Sequence, residues 1–312
     1  MFHSTLALIL ATSAALSVSV SANCIHGTSF FPRTEGKVEV GKFGYTGLQG
    51  PLNWAGLDPA NSACRSSKVQ SPIVIDESVP KAKSAPKVEI SNVEEAEFEN
   101  LGTTLEVVVK GKTTFEGTEF ELQQFHLHTP SEHRINDEYF PLEMHMVHQA
   151  ADESIAVIAI PFQLNEDGET TELLTSVIEN LSKVAEPGTS TTTGPLDFGP
   201  LIEAIETRPL FQYSGSLTTP PCKEGLTFLV MEEPLALDVK TYNALKKVIK
   251  FNARYSQNKL GEDNLLTVAN VHAQQQDGCR QSMAGSKMEM VSMEKVVNHC
   301  KGMCKDRSLH RW

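Results

Sequence analysis

Three histidines and a glutamate stand close together in QQFHLHTPSEH, residues 123–133 of a 312-residue chain. They are His126, His128, His133 and Glu132, and the chain has ten histidines in all. Histidine and carboxylate at short spacing can bind a metal, or form a polar patch on a β-rich domain. Further ligands decide between the two. Side chains alternate across a strand, so His126 and His128 point the same way, and Gln124 shares their face. A second strand-like run, FPLEMHMVHQ, carries Glu143, His145 and Val147 on one face and Met144, Met146 and His148 on the other. If the two runs pair as neighbours, His126, His128 and His145 can converge on one ion. Three neutral imidazoles suit Zn²⁺ held tetrahedrally, with the fourth position left for water. Each ligating ring also needs a partner for its other nitrogen. Gln124 can serve His126 and Glu143 can serve His145, which also gives a buried Glu143 a partner.

The elements that would hold these residues are mostly strands. Between about residues 70 and 165 the chain reads KVEISNV, TLEVVVKG, FELQQFHLH, FPLEMHMVHQA and SIAVIAIPFQL, all with strand signals. Alternation in ELQQFHLH and LEMHMVHQ predicts half-buried strands. Helical periodicity is expected over Thr170 to Lys183 and over Leu237 to Phe251, and a surface loop over Glu186 to Pro195. No internal repeat is visible.

Composition fits a globular chain with a substantial core, at 40% apolar and 21% charged residues. The net charge of −12 argues against nucleic acid or anionic membrane as a partner. The run LALILATSAALSVSV, followed by Ser21-Ala22, reads as a secretory signal peptide over residues 1–22, in preference to an uncleaved anchor. Cleavage is expected near Ala22–Asn23, and Asn23 before Cys24 excludes a lipoprotein reading. No later segment has the ~20 apolar residues of a membrane span. Secretion, to the extracellular space or to a periplasm, would let the six cysteines pair. Asn180-Leu181-Ser182 is a glycosylation sequon if the source is eukaryotic. Residues 271–312 form a polar, Met- and Cys-containing extension, expected to be partly helical around Met288 to His299 and to lie outside a main domain of residues 23–270. Its methionine spacing suits packing better than metal binding.

FHLHTPSEH, LEMHMVH and GSLTTPPC together resemble the α-class carbonic anhydrases. GPLNW (50–54), QSPI (70–73) and FNAR (251–254) match the same family, in family order, over about Phe43 to Asn270. The resemblance implies a mainly β (α+β) single domain on a large, twisted, mostly antiparallel central sheet, with short surface helices. It implies zinc on His126, His128 and His145. Gln124, Glu143 and the Asn252 carbonyl would support those rings. Thr218 would orient the nucleophile and pass its own proton to Glu132. Val147, Val157 and Leu217 would line a CO₂ pocket with Thr219 nearby, and His133 would stabilise the local fold. Secreted members of the family often bridge the positions of Cys64 and Cys222, leaving Cys24, Cys279, Cys300 and Cys304 unassigned.

The implied reaction is reversible hydration of carbon dioxide to bicarbonate and a proton by attack of zinc-bound hydroxide. Zinc lowers the pKa of bound water to about 7, carbonic anhydrase being the type case of that effect. Fast members of the family export the proton through a histidine in the cleft wall. Here that position is Thr103, which cannot titrate near neutral pH. Slow, buffer-dependent proton transfer is therefore expected. Phe228 stands where the family usually has tryptophan. Two other classes compete. A catalytically silent, carbonic-anhydrase-like binding protein would have lost zinc histidines. A zinc esterase would usually carry a motif such as HExxH, which is missing. The sequence leaves oligomeric state and physiological role open.

Overall fold

The computed structural model describes residues 38–270. The expected signal peptide, the 271–312 extension, Cys24, Cys279, Cys300 and Cys304 lie outside the described residues. Thirteen strands are described. They are β1 (Val74–Ile75), β2 (Lys87–Glu89), β3 (Glu97–Asn100), β4 (Leu105–Val108), β5 (Gly111–Phe115), β6 (Thr118–His128), β7 (Arg134–Ile135), β8 (Leu142–Ala150), β9 (Ile155–Leu164), β10 (Ser190–Thr192), β11 (Leu210–Ser216), β12 (Glu224–Met231) and β13 (Leu235–Leu237). Eleven form one sheet, whose main path runs β10-β3-β4-β6-β8-β9-β12-β11, with β5 and β2 continuing from β6 and β13 beside β9. Within it only the pairings of β9 with β12 and β13 are parallel. Short α-helices lie between and beside the strands: α1 (Trp54–Leu57), α2 (Ala63–Ser66), α3 (Glu172–Ile178), α4 (Gly199–Thr207) and α5 (Val239–Ile249), with three 3₁₀ turns and a helical run over 265–270.

The two longest central strands differ in how they bury side chains. β9, IAVIAIPFQL, is apolar on both faces, as a strand covered on both sides must be. Proline within such a strand removes a ladder donor. Pro161 falls where that loss is tolerated: β12 pairs with β9 up to Ala159, and β13 takes over at Phe162. β6 solves a different problem. The alternation expected across ELQQFHLH is interrupted, because a bulge lies between Leu122 and Gln124. Phe120 and Leu122 belong to the main core, and so do Phe125 and Leu127. The extra residue, Gln123, shifts the phase between these two pairs. Downstream of it, Gln124, His126 and His128 face away from the main core.

That core lies on one face of the sheet. There Phe125, Leu127, Met144, Met146, Ile158 and Leu229 pack against Leu173, Leu174, Val177, Leu201, Ile205 and Leu245 of α3, α4 and α5. On the opposite face a smaller cluster holds Val147, Val157, Ala159, Leu217, Phe228 and Val230. The faces assigned to β8 follow this division, with Met144 and Met146 in one cluster and Val147 in the other.

Three elements differ from the sequence expectation. The helix expected over Thr170 to Lys183 is α3 followed by a separate 3₁₀ turn, Leu181–Val184. Asn180 interrupts it, with φ −104° and ψ 15°, and its Nδ2 donates to the Thr192 carbonyl instead of facing solvent. The expected loop over Glu186 to Pro195 contains β10, because its threonine run pairs with β3. The helix α4 was not anticipated, although Leu201, Ala204 and Ile205 stand at helical spacing and are buried. α5 begins two residues later than expected, since Leu237 ends β13 and Asp238 caps the helix by accepting from the Thr241 N–H.

A candidate metal centre on the second face of the sheet

Strand register builds the centre. β6 and β8 are antiparallel, with His126 opposite His145 and His128 opposite Glu143. One ligand atom from each of His126, His128 and His145 lies within 4.8 Å of the others, and all three residues are buried. Each ring is fixed through its far nitrogen. His126 Nδ1 donates to Gln124 Oε1 at 2.9 Å, and His128 Nδ1 to the Asn252 carbonyl at 2.9 Å. His145 Nε2 donates to Glu143 Oε1 at 2.6 Å. These bonds select the tautomers that turn His126 Nε2, His128 Nε2 and His145 Nδ1 toward a common point. Burial lowers the pKa of His128 to about 4 and also lowers that of His145. Both rings are therefore neutral near pH 7 and have lone pairs available for a metal.

Glu132 lies over the same point. Its Oε2 is 3.5 Å from His128 Nε2 and 4.0 Å from His145 Nδ1. Burial pushes its carboxyl up to about 7, against the pull of His145 and of the Thr218 hydroxyl. Glu132 Oε1 accepts from the Arg254 backbone N–H at 2.8 Å. Glu132 Oε2 and Thr218 Oγ1 are buried with no fully formed hydrogen bond. A buried polar atom left in that state is costly, and a metal with its ligand sphere would satisfy both. The donor set, three buried imidazoles beside a carboxylate and a hydroxyl, fits zinc.

The other expected residues fall around this point. Thr218 lies on the turn between β11 and β12 with Leu217 and Thr219, all three buried. Leu217, Val147 and Val157 share the second-face cluster with Phe228. Phe228 stacks on Tyr213, with ring centroids 5.1 Å apart, and meets His145 edge-on at 6.0 Å. Asn252 gives its carbonyl to His128 and its side chain to the Thr129 N–H and the Leu127 and Thr103 carbonyls. Cys64 and Cys222 are joined by a disulfide with a Cα–Cα distance of 5.0 Å. Thr103 is covered: a Cβ built on Gly41 would lie 2.8 Å from its Cγ2. Asn180, in the sequon, is half-buried.

Several participants escaped the sequence reading. Glu143 does more than hold His145. Its Oε1 also accepts from His133 Nδ1 at 2.6 Å, and its Oε2 accepts from the backbone N–H groups of Glu132 and His133. Burial alone would raise the Glu143 carboxyl, but His133 and His145 outweigh it and hold it well below the usual range. With Nδ1 committed, His133 Nε2 accepts from the Tyr213 hydroxyl at 2.7 Å, which in turn meets Ser71 Oγ at 2.8 Å. His133, Glu143 and His145 also have ligand atoms within 4.8 Å of one another. Short hydrogen bonds among those atoms account for that second cluster without an ion. Glu99 and Glu106 are buried acids in one cross-strand row with His126. The motifs QSPI and FNAR contained Gln70, Ser71 and Arg254, but spacing alone gave them no task.

The class that fold and site define is a mostly-β protein with a buried three-histidine centre on one face of a large mixed sheet. Residues 49–281 match the family model for eukaryotic-type carbonic anhydrases. A carbonic anhydrase of Klebsiella pneumoniae is 33% identical over 204 residues, covering 62% of this chain and 77% of that protein. The structure of a fungal α-carbonic anhydrase from Aspergillus oryzae is 48% identical, covers 74% of this chain and 99% of its own, and superposes with a TM-score of 0.72. An α-carbonic anhydrase from Thermovibrio ammonificans, solved with the inhibitor sulfanilamide, is 34% identical, with coverage of 71% and 97% and a TM-score of 0.62. The chain belongs to the eukaryotic-type carbonic anhydrase family and is an enzyme of that type, acting on small molecules. The family reaction is reversible hydration of carbon dioxide. No described helix is long and apolar enough to cross a membrane.

Proposed function

We propose that this chain hydrates carbon dioxide at a zinc ion held by His126, His128 and His145. The observation that carries the reading is the register of β6 and β8, which gathers three imidazoles whose far nitrogens are each held. A zinc ion there would make hydroxide available near neutral pH by lowering the pKa of water to about 7, carbonic anhydrase being the type case. The chain's own residues do the rest. Thr218 accepts a hydrogen bond from the nucleophile and donates its own proton to Glu132 Oε2, which fixes the direction of the attacking lone pair. Glu132 can accept because its other oxygen is already satisfied by the Arg254 N–H. Val147, Val157, Leu217 and Phe228 offer an apolar wall to neutral CO₂. Gln124, Glu143 and Asn252 hold the ligating rings. Thr103 exports no proton, so the proton leaves through water to buffer. The disulfide supports a secreted protein, with residues 1–22 as its signal, residues 23–270 as the enzyme domain and residues 271–312 as an appended extension.

Stopped-flow CO₂ hydration with parallel metal analysis tests this. The expected result is one zinc per chain, loss of activity on removing it with a strong chelator, and recovery on adding Zn²⁺. Full turnover by metal-free protein would overturn the reading. A zinc-loaded protein inert toward CO₂ would favour the silent binding protein instead.

A further inference from the structure

A buried cation lies behind Glu132, and neither the metal centre nor the apolar wall uses it. Arg254 is 2% exposed. Its guanidinium is held by three oxygens, none of them a carboxylate: Nη1 donates to the Ser71 carbonyl at 2.7 Å, and Nη2 to the Cys64 carbonyl at 3.2 Å and to Gln70 Oε1 at 3.0 Å. The same guanidinium lies 5.5 Å from the centre of the Trp54 ring. Burying an arginine with no carboxylate in hydrogen-bond contact is costly, so its retention here requires a compensating arrangement.

The arrangement links both members of the proposed proton relay to one residue. On one side the Arg254 backbone N–H donates to Glu132 Oε1 at 2.8 Å. On the other, Gln70 receives the guanidinium and passes the contact on, its Nε2 donating to the Cys222 carbonyl at 3.0 Å. Cys222 closes the turn that carries Thr218, its N–H donating to the Thr219 carbonyl at 2.8 Å. The disulfide brings Cys64, whose carbonyl Arg254 also holds, to the same place.

We infer that Arg254, acting through Gln70, is a positioning residue that sets the distance between Thr218 and Glu132. The inference rests on the relay proposed above. Removing a positioning residue costs turnover only while the relay it positions is intact, so a double-mutant cycle reads it. The variants are Arg254→Met and Gln70→Met, each alone and combined with Thr218→Ala, with CO₂-hydration kcat measured per zinc-loaded chain. Each single variant is expected to lower kcat about tenfold with KM within about twofold, and to cost less than about twofold in the Thr218→Ala background. Gln70→Met leaves the arginine in place and serves where Arg254→Met does not fold. Amide hydrogen exchange on the metal-free protein gives a second readout. Exchange over residues 217–222 should quicken in Gln70→Met while β6 and β8 stay protected. Equal losses in both backgrounds, or unchanged exchange over 217–222, would overturn the inference. Wild-type turnover in Thr218→Ala would overturn the relay and not the brace, which the exchange measurement reads on its own.

Discussion

Single residues decide how well this site turns over. Glu132→Gln keeps the shape of the side chain and, with its amide oxygen held by the Arg254 N–H, would put an NH₂ donor where the proposed relay requires an acceptor. Both Glu132→Gln and Thr218→Ala should lower kcat for CO₂ hydration about 10²-fold with zinc content unchanged, and wild-type rates in either would remove the relay from the mechanism. In the proposed mechanism Thr103 bears on a later step, export of the proton. Wild-type kcat should climb with buffer concentration, whereas Thr103→His should raise the rate at low buffer about tenfold and flatten that dependence. Gly41 lies against Thr103, so the segment ahead of Phe43 must shift to admit the ring. His148 lies on the opposite face and makes a different prediction. Its Nδ1 donates to the Met146 carbonyl and its Nε2 meets Thr113 Oγ1. Burial brings its pKa down to about 4 from an ordinary 6.5. Between those values the unfolded chain takes up the proton and the folded one does not. Stability from this residue is thus complete above pH 6.5 and is lost toward pH 4, at about 1.4 kcal/mol per unit. Urea unfolding at pH 7 and pH 5 should show wild type losing more stability than His148→Gln by about 2 kcal/mol. An equal loss would mean that His148 is not held neutral.

At the scale of the element, periodicity was legible where packing on one face decides the side-chain order. The runs containing β8 and β9 could be placed from apolar residues alone, and α5 from its amphipathic stripe. The reading failed where a tertiary partner overrides local preference. β10 exists because β3 offers it a ladder, and α3 stops short because Asn180 is drawn to the Thr192 carbonyl. Where a helix starts is set by one side chain. Asp238 caps α5 and its carboxyl lies below the usual range, chiefly through the hydrogen bond with Thr241. A depressed carboxyl contributes stability above its unfolded pKa and loses it as pH falls through the folded one. Asp238→Ala should therefore destabilise the protein by about 1 kcal/mol at pH 7, with the difference shrinking below pH 4; a thermal-unfolding series across that range checks both.

At the scale of the whole molecule, distant segments are tied to the site by few connections. The Cys64–Cys222 bond spans 158 residues of sequence and joins the α2 segment to the turn that carries Thr218. Reduction, or Cys64→Ser, should cost roughly 2–4 kcal/mol in denaturant unfolding, and an unchanged midpoint would show the bond to be idle. The three-histidine cluster was readable because strand alternation and motif order both point to it. The brace at Arg254 was not, since it depends on contacts between segments up to 190 residues apart, and the hold of Glu143 on His133 was missed because the loop between β6 and β8 has no periodicity to place it. The bulge at Gln123 has a consequence for anyone borrowing this site. It acts as a frameshift written in backbone geometry. Upstream of it the inner frame of β6 is even-numbered, and downstream it is odd-numbered. A designer who grafts FHLH onto a regular strand inherits the histidines but chooses their face by accident. The portable unit is the eleven-residue strand with its extra glutamine, and two histidines two apart are only its visible part.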